Sequence, residues 1–326
     1  MAQLLILGLG IFLATIISNI NYSSIKSAAV PIYISVCGLV CAVSFFGTRV
    51  NGARLWLKLA GFTLQPTELL KLALILMIGF YLEARVKPDT RNTREYNLLD
   101  LIIPLTLTLI PTIFILKQPD LGSAIICLVI TGAILFFMGI EKRTLTTLII
   151  CISIAGYAGW GHLKPYQKDR LVNFIVSSSD YTDKNWQANQ SLVAFGSGGW
   201  FGRGVLRGPE TQLGYLPEQE TDFAFAALAE EHGFIFVAGV LLLLNFIVIK
   251  LLAVARNARD RFSAVVAIGV AFWLFSQSVI NAGMVSGILP IVGVPMPIIS
   301  YGGSSLFSIL LAIGILSNID HRQRII

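Results

Sequence analysis

Nine apolar runs, each about the length of a bilayer crossing and parted by polar connections, constrain this chain more than anything else in it. A membrane-spanning helix needs about 20 mostly apolar residues. Residues 2–18, 29–47, 66–83, 98–116, 121–139, 145–161, 223–250, 263–285 and 301–318 supply such runs, the shorter ones padded by tilt or flanking residues. Composition agrees: 55% of the 326 residues are hydrophobic and 13% charged, where a soluble domain carries about 25% charged residues. In lipid the backbone must satisfy its own hydrogen bonds, which leaves helices or a closed barrel. Strand alternation is absent, so the expected fold is all-α. It is a polytopic helical bundle of about nine spans, one membrane domain over 1–326, with one long extracytoplasmic loop at 162–222.

Basic residues orient such a bundle, because short cytoplasmic connections collect Lys and Arg. One set of connections holds Lys26, Arg85, Lys87, Arg91, Arg94, Lys142, Arg143, Lys250, Arg256, Arg259, Arg261, Arg322 and Arg324; the opposite short connections hold Arg49, Arg54, Lys58 and Lys117. The first set is expected in the cytoplasm, with the C-terminus. The N-terminus and the loop 162–222 are then outside. This accounts for the net charge of +6 without a nucleic-acid partner. Residues 2–17 lack a basic leader and a small-residue cleavage site, so they read as a first span rather than a signal peptide. Cys37, Cys41, Cys127 and Cys151 all lie in apolar runs without metal-like spacing and read as small hydrophobes.

Two outer segments break the apolar pattern. The connection 162–222 contains Ser177-Ser178-Ser179-Asp180, a glycine-rich stretch from Gly196 to Gly208, and an acidic patch of Glu218, Glu220 and Asp222. Long loops without regular structure are uncommon and usually functional. In 284–303, Pro290, Pro295 and Pro297 rule out one continuous helix, leaving a re-entrant segment buried in protein as an option.

Ionisable residues inside spans are functional candidates by default. Glu68 and Lys71, three residues apart on one helix face, can pair; they either lock helices together, line a polar cavity, or both. Asp120 opens a span and suits an N-cap on the helix dipole. Asp222 stands where the long loop becomes a helix. It could be a cap, but crowding with Glu218 and Glu220 is expected to raise its pKa, and a carboxylate so tuned serves as a general base. Glu230, Glu231 and His232 follow on the same helix. Arg170, Arg203 and Arg207 could hold a phosphate or simply be solvated. No metal-ligand spacing, phosphate-binding loop or nucleophile elbow occurs.

These residues fall in segments that resemble the SEDS family (shape, elongation, division and sporulation). The segments are Gln118-Pro119-Asp120-Leu121-Gly122; GRGVLRGPETQLGYLPEQETDFAFAALAEEHGF from Gly202; NAGMVSGILPIVGVPMPIISYGGSS from Asn281; and Gln65-Pro66-Thr67-Glu68 with Lys71. The start Gly-Met-Val-Ser-Gly-Ile-Leu-Pro and the element Thr211-Gln212-Leu213-Gly214 are more similar to the RodA branch than to the FtsW branch. The resemblance runs over essentially the whole chain. It implies a glycosyltransferase of the bacterial cytoplasmic (inner) membrane that polymerises peptidoglycan from lipid II.

Carried over residue by residue, the resemblance makes Asp222 the essential outer-loop aspartate and the expected general base. It makes Glu68 and Lys71 the membrane-embedded pair, and Asp120 the acidic residue of its element. Arg170, in Tyr166-Gln167-Lys168-Asp169-Arg170, matches the long-loop arginine. Glu218, Gln212 and Arg54 are further candidate substrate contacts. Arg170 or a divalent cation, Mg or Mn, is expected to stabilise the departing pyrophosphate. The implied partners are a class B penicillin-binding protein and other membrane proteins of the elongation complex. Three departures stand out. Glu220 replaces the family's histidine. Leu55 replaces the arginine before Trp56, with Arg54 one place earlier. The family has ten spans, so this chain opens at what resembles the second, which would explain an N-terminus outside. A lipid-substrate flippase and a non-catalytic scaffold are the competing expectations.

Overall fold

In a computed structural model, residues 2–50, 53–59, 62–85, 96, 98–141, 143–147, 150, 161, 186–216 and 218–324 are described. The elements are α1 (Ala2–Asn19), α2 (Tyr22–Ser27), α3 (Ala29–Phe46), β1 (Thr48–Val50), β2 (Ala53–Leu59), β3 (Phe62–Leu64), α4 (Pro66–Ala84), α5 (Leu98–Lys117), α6 (Leu121–Phe137), α7 (Trp186–Ser197), α8 (Pro209–Gln212), α9 (Ala224–Arg256), α10 (Arg261–Val285) and α11 (Gly303–Arg324). Eight of the nine expected spans are therefore helices with ends close to those expected. The ninth, 145–161, lies largely outside the described residues. Among the described residues α3, α5, α9, α10 and α11 are long and apolar enough to cross a membrane, and α1 and α6 are slightly shorter apolar helices. The chain is an integral membrane protein.

α4 and α10 form the centre of the bundle. Nearly every α4 side chain from Pro66 to Leu82 is buried, and α10 is buried almost all round. Small residues let the two approach: Gly79 faces Phe262, and Gly269 faces Ile75, the close packing that apolar helices use where lipid offers no hydrophobic drive. The peripheral helices turn apolar side chains outward, among them Leu4, Phe12, Ile34, Ile102, Ile110, Leu242 and Phe246, as a lipid solvent permits.

α1 lies parallel to α11. Ile6 meets Gly303, Gly10 meets Leu310, and Ala14 meets Gly314. At the far end Asn318 Nδ2 donates to the Ile17, Ser18 and Ile20 carbonyls at 3.0, 3.0 and 2.7 Å, which satisfies the last turn of α1. The amino end of α1 thus shares one end of the bundle with the start of α11. The opposite end carries the ion pairs Lys26–Glu83 and Arg322–Asp260, with Tyr22 donating to Asp260 at 2.7 Å.

Three features depart from the sequence expectation. The connection 48–64 is not a plain loop but a three-stranded antiparallel sheet, β1-β2-β3. Its middle strand alternates Arg54, Trp56 and Lys58 with Leu55, Leu57 and Leu59, a period-2 pattern too short to compete with the surrounding spans. The loop 162–222 also contains regular structure, α7 and α8. The run 223–250 is not one straight span either: α9 breaks at Gly233, whose φ of 83° and ψ of 174° are not helical.

Candidate functional site

The sheet end of the bundle holds a cavity of about 380 Å³, and it gathers residues from eight separate stretches of sequence. β3 runs straight into α4, where Pro66 takes the first helical position, suited to a residue without an N–H. Gln65 N–H donates to Ser304 Oγ at 2.9 Å, pinning the start of α4 to α11. The first turns of α4 then point Glu68 and Lys71 into the cavity, with Lys71 Nζ 2.6 Å from Glu68 Oε1 and both side chains buried. Lys71 Nζ also stands 5.3 Å from the centre of the Trp273 ring. A buried pair survives only with such geometry and added contacts. The pair lines the cavity. It lies within α4 rather than between two helices, and it reaches a second helix through the contact of Lys71 with Trp273 on α10.

Asp120 precedes the first turn of α6 and accepts from Ser123 N–H at 2.9 Å, so it is the helix cap that its position suggested. It lines the cavity as well. Burial pushes its carboxyl above the ordinary carboxylate range, against the opposing pull of the Ser123 hydrogen bonds. Gly122 lets α6 press against 292–294: a Cβ there would stand 2.9 Å from the Val292 carbonyl oxygen.

Asp222 ends a tight turn in which the Thr221 and Phe223 N–H groups donate to the Glu218 carbonyl at 3.0 and 3.2 Å. Phe223, not Asp222 or Thr221, occupies the N-cap position of α9. Asn281 Nδ2, fully buried on α10, donates to the Asp222 carbonyl at 2.8 Å and to the Val294 carbonyl at 2.7 Å. One amide therefore ties the Asp222 turn to the proline-rich segment. Tyr301 N–H adds a bond of 2.7 Å to the Glu220 carbonyl. Asn281→Leu is accordingly expected to cost about 2–3 kcal/mol of stability, through lost hydrogen bonds and stranded carbonyls, and to slow turnover about 10–100-fold by misplacing Asp222. Thermal melting and initial rates check the two effects separately.

The cavity thus brings Glu68, Lys71, Asp120, Glu218 and Asp222 together, with Gln277 and Ser305 beside them. Other sequence candidates lie elsewhere. Arg54 donates to the Phe45 carbonyl at 2.9 Å and is not among the lining residues, whereas its neighbour Leu55 is. Gln212 ends α8 and is exposed away from the cavity. Arg170 lies outside the described residues. Gln277 and Asn281 were not anticipated, although two amides one turn apart inside an apolar run are a signal of the same kind as Glu68 and Lys71. Among the described residues no three His, Cys, Asp or Glu side chains are grouped to hold a metal ion.

Fold and cavity together define a polytopic helical membrane protein with a charged, partly buried cavity at one end of its bundle. The family model for FtsW, RodA and SpoVE, described as cell cycle protein, matches residues 1–325, and the chain belongs to this family. It is 38% identical over 295 residues to the probable peptidoglycan glycosyltransferase FtsW of Tolumonas auensis, covering 90% of this chain and 75% of that one. It is 34% identical over 320 residues to the peptidoglycan glycosyltransferase MrdB of Escherichia coli K12, covering 97% and 84%. A solved chain from a peptidoglycan synthase complex that coordinates polymerization and crosslinking superimposes with a TM-score of 0.82 at 30% identity, covering 99% of this chain and 90% of that one. The rod shape determining protein RodA of Thermus thermophilus gives a TM-score of 0.70 at 28% identity, with coverage of 99% and 87%.

Proposed function

We propose that the chain is a peptidoglycan glycosyltransferase that polymerises lipid II into glycan strands. The observation that carries this reading is the cavity lined jointly by the half-buried Asp222, the buried Glu68–Lys71 pair and Asp120. The names of its relatives supply the reaction class. In the proposed step Asp222 takes the proton from the 4-hydroxyl of the acceptor N-acetylglucosamine. The oxygen forms a bond to C1 of the donor N-acetylmuramic acid from the face opposite the leaving group. The C1–O bond to phosphate breaks, and undecaprenyl pyrophosphate departs with the electron pair, so the anomeric centre inverts. The apolar flank of the bundle suits the polyprenyl chain, and Lys71 supplies positive charge beneath the reacting groups.

The same proposal places the cavity on the outer face of the bacterial cytoplasmic membrane, with the N-terminus on that side and the C-terminus inside. What supports it is the basic cluster of Lys26, Arg261 and Arg322 at the other end of the bundle. A class B penicillin-binding protein is the proposed partner, by analogy with the synthase complex that the chain resembles.

A flippase is the second reading, because a charged pair buried among spans also suits translocation of a polar headgroup. Fluorescent lipid II in liposomes containing the purified chain separates the two. Polymerisation yields a ladder of glycan chains. Intact lipid II that moves between leaflets without forming polymer would overturn the enzyme reading.

A further inference from the structure

Glu230 is a buried acid that the reaction above does not use. It lies within α9 and is 0% exposed. Its Oε1 accepts from Glu210 N–H at 3.0 Å and its Oε2 from Thr211 N–H at 3.1 Å, the first-turn amides of α8. Among the described residues it forms no ion pair. Burying a carboxylate without a cation is costly. What offsets the cost here is a pair of charge-assisted N–H bonds. Gly208 admits the carboxylate: a Cβ there would stand within 2.5 Å of Glu230 Oε2.

From α8 the hydrogen bonds continue toward the reacting end of the cavity. Leu216 N–H donates to the Glu210 carbonyl at 3.1 Å, and the turn from Glu218 to Asp222 follows directly. Upstream, the same stretch of α9 anchors the glycine-rich segment. The break at Gly233 frees two carbonyls and two amides, and the loop takes all four. Arg203 and Gly204 N–H donate to the Glu230 and Glu231 carbonyls at 3.0 and 2.9 Å, and Phe234 and Ile235 N–H donate to the Gly199 and Trp200 carbonyls at 2.8 and 3.2 Å. Leu206 N–H adds a bond of 3.1 Å to Glu231 Oε1. The outer segment is thus fastened along α9 by backbone contacts as far as Gly204. Beyond Leu206, the Glu230 carboxylate anchors the segment ahead of Asp222 by accepting from the Glu210 and Thr211 N–H groups.

We propose that Glu230 is a positioning residue: by gripping the amino end of α8 through Gly208 it holds the 208–222 segment so that Asp222 stands over the cavity. This rests on the glycosyltransferase reading given above.

Two variants attack the contact from opposite sides. Glu230→Gln replaces one acceptor oxygen with a donor that opposes an N–H, and Gly208→Ala pushes a methyl group into the carboxylate. In the full chain, each is expected to lower kcat for lipid II polymerisation about 10–100-fold with KM within about threefold, as misplacement of a catalytic group does. Amide exchange should quicken over 208–222 and not across the bundle, and the double variant should fall no further than either single, because both break one contact. Should Glu230→Gln not fold, Gly208→Ala carries the test. A kcat within about twofold of wild type, or faster exchange spread over the whole bundle, would overturn the proposal. Failure of the enzyme reading shows differently: the wild-type chain would itself form no polymer from lipid II, whereas an inactive Asp222→Asn beside a normal Glu230→Gln would remove only the positioning role.

Discussion

Asp222→Asn is expected to fold, insert and bind lipid II like the wild-type chain while polymerising it about 10²–10⁴-fold more slowly, the range that a lost general base costs. Asparagine has the same shape, and the Asn281 amide holds position 222 through its backbone carbonyl. The turn and the cavity wall should therefore stay in place. What disappears is an oxygen able to take a proton from the acceptor hydroxyl. Initial rates of glycan formation across lipid II concentrations check this, because the loss should fall in kcat and leave KM nearly unchanged.

Lys71→Met should have the largest effect on the fold itself. It leaves Glu68 buried without its partner at 2.6 Å. Removing one member of a buried pair costs about 3–5 kcal/mol, whereas replacing both with apolar residues is often neutral. The single variant should lose most of its folded, detergent-extractable protein. The double variant Glu68→Leu/Lys71→Met should recover the fold and remain inactive. Melting temperature by intrinsic fluorescence, together with turnover, reads both. A Lys71→Met chain as stable as wild type would show that the pair is not the lock at the centre of the bundle. An active double variant would remove it from the reaction.

Much of this was legible in the sequence, for identifiable reasons. Span length fixed eight helices because the bilayer imposes its thickness on every crossing. Glu68, Lys71 and Asp120 stood out because a charge in or at the edge of an apolar run is rare, and Asp222 because three carboxylates crowd the start of one. Their meeting in one cavity was not derivable from spacing, since it depends on how α4, α6 and α9 pack. The resemblance, rather than local chemistry, singled out Gln212 and Arg54, and these two lie outside the cavity. The break at Gly233 was hidden because the apolar run continues through it, while its cause, a glycine-rich partner segment, lies some thirty residues earlier. Asn281 escaped because an uncharged amide barely disturbs a hydropathy pattern, although buried among carbonyls it joins two walls of the site.

The most direct test is to incubate wild-type and Asp222→Asn chains, matched in melting temperature, with the same purified lipid II, and to resolve the products by length before and after lysozyme digestion. The account predicts a lysozyme-sensitive glycan ladder from the wild-type chain and unreacted lipid II from the variant. A ladder of equal yield from both would contradict it.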